Sequence, residues 1–296
     1  MLKIKPLSAA ILAGTLLFTT VSVKASTLLA SDADLPSNNL GTISATIPSS
    51  VVVSSAQGVA YTPSGQIIVS HYSGALDEYS ATGVFQATLA NLGSGNGGVA
   101  VDASGNIYLS HGAAILKFSS TGVSLGNFVS EAAPQGLAFD QAGHLYAADM
   151  SIGSGGSVLE YSSGGSLLQT FTGGLNGAFG VAVNSANDVL VGNFNGTTVS
   201  EFAPNGTSLG NFVSGLSNAA GLAIDGSGNV FVCVRNSSQV NEYTSAGTFV
   251  SSYSTGSSQP TYIAAPAPVP EPASFMMMAA GAMSFIGLRR WRKRGH

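Results

Sequence analysis

The stretch QGLAFDQAGHLYAADM, residues 135–150, decides the fold class of this chain. It contains a short apolar strand, a turn with Gly143 and a second apolar strand, which is typical of a β-hairpin. The same unit recurs as QGVAYTPSGQIIVSHY at 57–72, GGVAVDASGNIYLSHG at 97–112, FGVAVNSANDVLVGNF at 179–194 and AGLAIDGSGNVFVCVR at 220–235. The chain is therefore a repeat protein built from β-hairpins.

The spacing of the repeat predicts its architecture. The glycines that open the five copies stand 40, 38, 44 and 41 residues apart, at Gly58, Gly98, Gly136, Gly180 and Gly221. This period fits a propeller blade of four strands, about 40–50 residues long. A fourth strand follows a Gly turn in each copy, as in TGVSLGNFVS and NGTSLGNFVS. Radial stacking of such blades leaves only short, protected strand edges.

The third strand of each copy carries a charged residue followed by an aromatic one. These pairs are Glu78-Tyr79, Lys117-Phe118, Glu160-Tyr161, Glu201-Phe202 and Glu242-Tyr243. Because successive side chains of a strand point to opposite faces, we expect the rings to pack between sheets and the acids to be solvated.

The number of blades follows from the two chain ends. Five full copies are followed by a lone first strand, PTYIAAP, which begins at Pro260. The segment TLLASDADLPSNNLGTISATIP, residues 27–48, contains matches to the second strand and to the later strands of the unit. We therefore predict an all-β, six-bladed β-propeller over residues 27–265, whose sixth blade is closed by the N- and C-terminal strands.

Both ends of the chain carry targeting features. Lys3 and Lys5 precede an apolar stretch, and Val23 and Ala25 fit the small residues of a cleavage site, so residues 1–25 are predicted to be a signal peptide cleaved after Ala25. An uncleaved membrane anchor is the alternative, although it needs a longer apolar span.

The C-terminal end contains three blocks in order: Val269-Pro270-Glu271-Pro272, an apolar run at 273–288 and a basic cluster at 289–294. This order resembles the PEP-CTERM sorting signal, with Pro270, Glu271 and Pro272 as the motif. The resemblance implies processing by an exosortase-type membrane protease in a Gram-negative bacterium that makes exopolysaccharide. Residues 266–296 are thus a predicted Pro-rich spacer and sorting tail with a short hydrophobic helix. Permanent anchoring by this tail is the alternative.

The charge and cysteine content exclude several classes of function. Residues 26–270 contain thirteen acids but only two cations, Lys117 and Arg235, which gives a net charge of about −11. Such a surface repels phosphate backbones, so nucleic acid is not a predicted partner. The single cysteine, Cys233, excludes an intramolecular disulfide, and its apolar surroundings predict a buried side chain.

The repeat resembles the NHL family and, more loosely, the regucalcin and gluconolactonase type of six-bladed propeller. The resemblance rests on GxAxD, a turn, and a strand of the form (I/V)(Y/F)V-x-D. It spans residues 27–265 and implies, for a gluconolactonase-like enzyme, a divalent ion held by carboxylates and an amide in the central channel. No motif position in this chain matches that set of ligands.

The candidate site residues stand at the equivalent ends of the second strands. They are Asp32, His71, His111, Asp149, Asn193 and Val234. Because imidazole and carboxylate groups bind zinc or iron, His71, His111, Asp149 and Asp32 are candidate metal ligands. The alternative is that a short polar side chain here binds backbone N–H groups of its own turn, and that the blades hold these residues too far apart to share one ion. No other cofactor is predicted.

Two functions remain open. The first is a non-enzymatic propeller, exported to the cell surface or the exopolysaccharide matrix, that binds a glycan or protein through the rim bearing His71 and His111. Its membrane contact, through the tail, is transient or permanent. The second is a metal-dependent extracellular hydrolase or lyase, for which His71 and His111 are the only candidate bases. No nucleophile motif, phosphate-binding loop or HExxH sequence is present.

Overall fold

A computed structural model of the chain describes residues 28–32, 41–43, 56–130, 133–151, 155–255 and 259–265. The predicted signal peptide with its cleavage position at Ala25, and the tail with Pro270, Glu271 and Pro272, lie outside these ranges. The regular elements of the described residues are strands, apart from one short 3-10 turn at Arg235–Ser237. No helix in these ranges is long and apolar enough to cross a membrane.

The described strands form a ring of blades, in which each four-stranded blade is a meander of antiparallel strands with the first strand innermost. The terminal strands are β1 Leu28–Asp32 and β2 Gly41–Ile43. Blade 1 contains β3 Ala56–Tyr61, β4 Ile67–His71, β5 Ala75–Tyr79 and β6 Phe85–Asn91. Blade 2 contains β7 Asn96–Val101, β8 Ile107–His111, β9 Ala114–Phe118 and β10 Ser124–Ser130. Blade 3 contains β11 Pro134–Phe139, β12 Leu145–Asp149, β13 Ser157–Tyr161 and β14 Leu167–Phe171.

Two further complete blades follow in the same order. Blade 4 contains β15 Ala178–Val183, β16 Val189–Asn193, β17 Thr198–Phe202 and β18 Ser208–Ser214. Blade 5 contains β19 Ala219–Ile224, β20 Val230–Val234, β21 Gln239–Tyr243 and β22 Phe249–Ser254. The last strand of the chain is β23 Pro260–Ala264.

The sixth blade joins the two ends of the chain, as predicted. Its described strands have the order β2-β1-β23, so the inner strand comes from the C-terminal side and the outer ones from the N-terminal side. In the antiparallel pair of β1 and β23, Leu29 lies opposite Ala264 and Asp32 lies opposite Pro260. The fourth strand predicted for this blade belongs to residues 27–50, and the part of that range after β2, residues 44–50, lies outside the described residues.

The glycine that opens each repeat brings neighbouring inner strands together. A Cβ atom on Gly98 would lie 2.3 Å from the carbonyl oxygen of Gln135 in the next blade, and one on Gly180 would lie 2.2 Å from that of Ala220. Because real Cβ contacts are never this short, only glycine permits the observed approach at these positions. The repeated glycine therefore sets how closely the blades pack around the axis.

The core lies between the blades and contains the third-strand aromatics, as predicted. Tyr79, Phe118, Tyr161, Phe202 and Tyr243 are all less than 9 % exposed. The prediction that the preceding acids are solvated is wrong for one of them, because Glu160 is only 8 % exposed. Its carboxylate lies 2.8 Å from His144 Nδ1, so a hydrogen bond replaces water.

Cys233 is completely buried in the second strand of blade 5, which confirms the prediction of a small apolar side chain. It packs in a cluster with Ala220, Phe231 and Tyr262. Burial raises the pKa of its thiol, since the thiolate is disfavoured where water is excluded.

The ring has two different faces. The bottom face carries the tight turns between first and second strands and between third and fourth strands. Asp102 shows how such turns form, because its Oδ1 accepts hydrogen bonds from the N–H groups of Ser104 and Asn106, both at 2.9 Å. The top face carries the loops after the second strands and the loops that enter the inner strands, and it therefore contains the rim positions selected from the sequence.

Candidate binding surface on the top face

The structure places the six rim positions equivalently, each opposite the first residue of its inner strand. The pairs are Ala56 with His71, Asn96 with His111, Pro134 with Asp149, Ala178 with Asn193, Ala219 with Val234 and Pro260 with Asp32. The backbone of Asp32 thus belongs to the rim, while its side chain lies outside the described part of the chain.

The two rim histidines have partners near their own blades. His71 is buried, and its Nε2 lies 3.0 Å from Asp77 Oδ2 on the third strand of blade 1. His111 Nδ1 lies 2.8 Å from Asn96 Oδ1, and because that oxygen can only accept, Nδ1 carries the proton. Asn96 in turn donates to the carbonyl of Ala75 in blade 1, at 3.2 Å.

Asp149 holds backbone around its own loop. It is fully buried, and its Oδ1 accepts hydrogen bonds from the N–H and the hydroxyl of Ser151, at 2.7 and 2.6 Å. Its Oδ2 accepts from the N–H of Ala133 at 3.0 Å. Asn193 is similar, since its Oδ1 accepts from the N–H of Asn176 at 2.8 Å. These bonds order the top loops.

The described residues therefore do not bring His71, His111 and Asp149 together as ligands of one ion. Their described side-chain partners lie in the same blade or in an adjoining loop. In the part of the chain with described side chains, one set of three potential metal ligands lies within 4.8 Å, and it contains none of these residues. That set is Asp140, His144 and Glu160.

The Asp140–His144–Glu160 cluster lies on the bottom face of blade 3. His144 Nδ1 is 2.8 Å from Glu160 Oε1 and 3.4 Å from Asp140 Oδ2, so this histidine is bonded to carboxylates rather than to water alone. Other blades use the same i,i+4 contact with an amide in place of the imidazole. Asn106 Nδ2 donates to Asp102 Oδ2 at 2.9 Å, for example. The cluster could hold a cation. However, the contact between Asp140 and His144 is the ordinary i,i+4 contact of these turns and does not by itself indicate a metal site.

Tyr262 fills the top of the central axis, which sequence reasoning missed. In the repeat, Tyr262 occupies the position held by glycine in the five other inner strands, and its hydroxyl donates to Gln135 Oε1 of blade 3 at 3.4 Å. Burial raises the pKa of Tyr262. The signal was present in the alignment of PTYIAAP with AQGVAY, where tyrosine replaces glycine.

Aromatic rings connect Tyr262 to the top rim. Phe179 lies 5.1 Å from the Tyr262 ring, and Phe194 stacks on Phe179 with centroids 5.0 Å apart. The guanidinium of Arg235, one of the two cations of residues 26–270, lies 4.9 Å from the Phe194 centroid. The top mouth thus has an aromatic and cationic side built from blades 4, 5 and 6.

The axis contains an open cavity of about 330 Å³, lined by Tyr262 at its upper end and by the bottom row of inner-strand residues at its lower end. Val101, Leu137, Phe139 and Ile263 are among its lining residues, and no Asp, Glu, His, Lys or Arg is among the described residues that line it. Tyr61 contributes a phenol group to the lining, and burial raises the pKa of this phenol. The described lining thus lacks the carboxylate and imidazole groups that most often act as general bases.

Comparison with known proteins identifies the tail. Residues 268–293 match the family described as the PEP-CTERM protein-sorting motif, which confirms the resemblance inferred from the three blocks. The motif implies export, sorting to the cell surface and processing by an exosortase. No curated protein matches the sequence.

Similar solved structures bear on the fold. One chain in a nidogen/laminin complex is 14 % identical with a TM-score of 0.69, covering 81 % of this chain and 98 % of that one. A protein of unknown function from Bacteroides caccae is 15 % identical with a TM-score of 0.63 and the same coverages. A streptogramin B lyase is 11 % identical with a TM-score of 0.56, covering 77 % of this chain and 73 % of that one. At these identities the similarity shows the β-propeller fold alone.

Proposed function

We propose that this chain is a non-enzymatic surface protein whose propeller binds a glycan of the exopolysaccharide matrix through its top face. The sorting motif accounts for export of the chain and its sorting to the cell surface. The observation that carries the proposal is the buried Tyr262 side chain in the axis, because its ring takes up space in the central channel, where propeller enzymes of the resembled type would hold an ion.

The described top surface suits a neutral, hydroxyl-rich ligand. Its exposed side chains include Tyr72, Asn195, Ser217 and Asn236, and Tyr72 is 60 % exposed. Amide groups both donate and accept hydrogen bonds, as sugar hydroxyls do, and an exposed tyrosine offers an apolar face with a polar tip. Arg235 is the described cation near this surface.

Affinity electrophoresis in gels that contain the exopolysaccharide of the producing bacterium tests this proposal. A chain ending at Ala265 should be retarded, and Tyr72→Ala should weaken binding about tenfold, equivalent to ~1.4 kcal/mol. Phe249→Ala is the matched control, since Phe249 is 55 % exposed but lies at the bottom of blade 5. Equal loss of binding in both variants would refute glycan binding at the top face. The same conclusion would follow if the chain and its two variants bound only to a protein ligand and not to the glycan.

Metal analysis separates the proposal from the alternative, a metal-dependent hydrolase or lyase. The proposed binder should purify without stoichiometric zinc, iron or calcium. Stoichiometric metal that is lost in a His71→Ala, His111→Ala double variant would favour the enzyme. Loss in a His144→Ala variant would instead assign the metal to the bottom-face cluster.

A further inference from the structure

The sorting tail leaves the propeller at the centre of its bottom face. Strand β23 is an inner strand that begins opposite Asp32 at the top and ends at Ala264. The next residue, Ala265, lines the axial cavity together with the bottom-row residues Tyr61 and Phe139. The match to the sorting motif begins at residue 268, only three residues later.

The length of the tail limits how far the bottom face can be from a membrane. Residues 266–272 separate the last described residue from the apolar run at 273–288. Seven residues span at most about 25 Å when fully extended. With the apolar run in a bilayer, the bottom face is the nearest part of the propeller, and the top face is farther by the strand length of roughly 20 Å.

Exposed apolar side chains surround the same face. Of the ten large hydrophobic residues exposed among the described residues, nine lie within one residue of the start of a fourth strand, at the lower outer edge of the blades. We call this set the lower apolar ring: Val84, Phe85, Val123, Leu125, Leu167, Leu168, Leu209, Phe249 and Val250. Each of the five complete blades contributes at least one. Exposed apolar groups arranged around one face indicate a membrane or partner surface.

The turns beside the ring carry no charge. The third-to-fourth-strand turns, at 80–84, 119–123, 162–166, 203–207 and 244–248, contain no Asp, Glu, Lys, Arg or His. The first-to-second-strand turns, nearer the axis, do carry acids: Asp102, Asp140, Asp188 and Asp225. The carboxylates of Asp102, Asp140 and Asp225 accept hydrogen bonds from N–H groups of their own turns. Contact through the third-to-fourth-strand turns alone therefore buries no charged turn residue, although the turns nearer the axis on the same face are acidic.

We propose that the bottom face docks on a lipid bilayer while the tail is inserted, with the lower apolar ring at the headgroup level and the top face directed away from the membrane. The proposal rests on the sorting motif and the exit point of the chain, and it does not depend on which ligand the top face binds. It gives the top face its access to the extracellular matrix.

Energy transfer from the propeller to the lipid surface tests this orientation. The chain with its tail is placed in phosphatidylcholine nanodiscs that contain a headgroup-linked acceptor dye. A donor is attached to Ser104→Cys in a bottom turn or to Ser73→Cys in a top loop, both at exposed positions. Cys233 is buried and stays unlabelled. We expect transfer from the bottom position to be roughly twofold greater, given the strand length between the faces. Equal transfer, or greater transfer from the top, would overturn the proposal.

A second pair of variants tests the ring itself. Leu167→Ser with Leu168→Ser removes two exposed leucines from blade 3 and should lower transfer from Ser104→Cys, whereas Tyr72→Ser on the top face should not. Unchanged transfer in the leucine variant would show that the ring does not contact lipid. Transfer between donor- and acceptor-labelled copies in lipid-free detergent, lost in the leucine variant, would identify a second copy as the partner instead of a bilayer. The glycan-containing gel should still retard the leucine variant, and this result separates the test of the bottom face from the test of the top face.

Discussion

Replacement of Gly180 by alanine tests whether the repeated glycine sets the radius of the ring. The added Cβ would lie 2.2 Å from the Ala220 carbonyl oxygen and 2.9 Å from Gly221 Cα, both backbone atoms of the next inner strand. An ordinary contact requires 3.4 Å or more, so the two strands must separate by about 1 Å.

The closed ring limits this separation. Blade 5 cannot simply move outward, because Gly221 is itself packed against the next inner strand, where a Cβ would lie 2.6 Å from the Thr261 carbonyl oxygen. Overpacking commonly costs about 1–3 kcal/mol, and a backbone that cannot yield places this variant near the upper end, at ~3 kcal/mol. Reduced freedom of the unfolded chain offsets only about 0.4–1 kcal/mol of a Gly→Ala change.

Thermal unfolding followed by circular dichroism measures the effect. For a domain of this size, ~3 kcal/mol corresponds to a decrease in Tm of about 6–12 °C. Gly164→Ala is the matched control, because Gly164 has no positive φ and the nearest atom to its added Cβ is Ser162 Oγ at 3.9 Å. If Gly180→Ala melts within 2 °C of the control, the close approach of the inner strands does not determine blade packing and the reasoning fails.

Three further predictions follow from burial and closure. Cys233 should not react with Ellman's reagent in the folded protein, even at pH 9, and should react fully in denaturant; reaction at the rate of a free thiol would contradict its burial. Burial and the charge of Asp188 raise the pKa of Glu201, so ionisation destabilises the folded state as the pH rises above its ordinary value of 4.5. Glu201→Gln should therefore raise Tm at pH 7 and leave it unchanged at pH 3, and the opposite pattern would show that its carboxylate is stabilising. A chain ending at Gln259 lacks β23 and should lose its cooperative transition, whereas one ending at Ala265 should melt like the full chain; equal melting of both would show that the sixth blade is not needed for closure.

The blade count could be predicted because closure leaves a trace in the sequence. The lone strand at Pro260 has no hairpin partner after it, and residues 27–48 contain later strands without a first one. Only a shared sheet satisfies the backbone hydrogen bonds of both segments. The pairing of Leu29 with Ala264 confirms that inference.

The environments of individual polar residues could not be predicted in the same way. The repeat shows that Glu160 and Glu78 are equivalent, but Glu160 is buried because His144, four residues after Asp140, takes the place of a turn amide and reaches it. That contact depends on the distance between two strands, which a pattern of residue types does not contain. The lower apolar ring was equally hidden, since alternation in the fourth strand does not reveal that its outer face stays uncovered.

The positions where the copies differ are the ones that define the top face. The bottom turns repeat with little change because each must satisfy the same tight geometry. In the five complete blades, the loops after the second strands vary from two residues, 112–113, to seven, 150–156, and they follow different residues, His71 in one blade and Asn193 in another. Tyr262 in place of glycine is the largest departure, and its buried ring reaches from blade 6 to Gln135 of blade 3 beneath the top mouth. Since packing explains the shared residues of a repeat, the departures from it are where a specific ligand can be recognised.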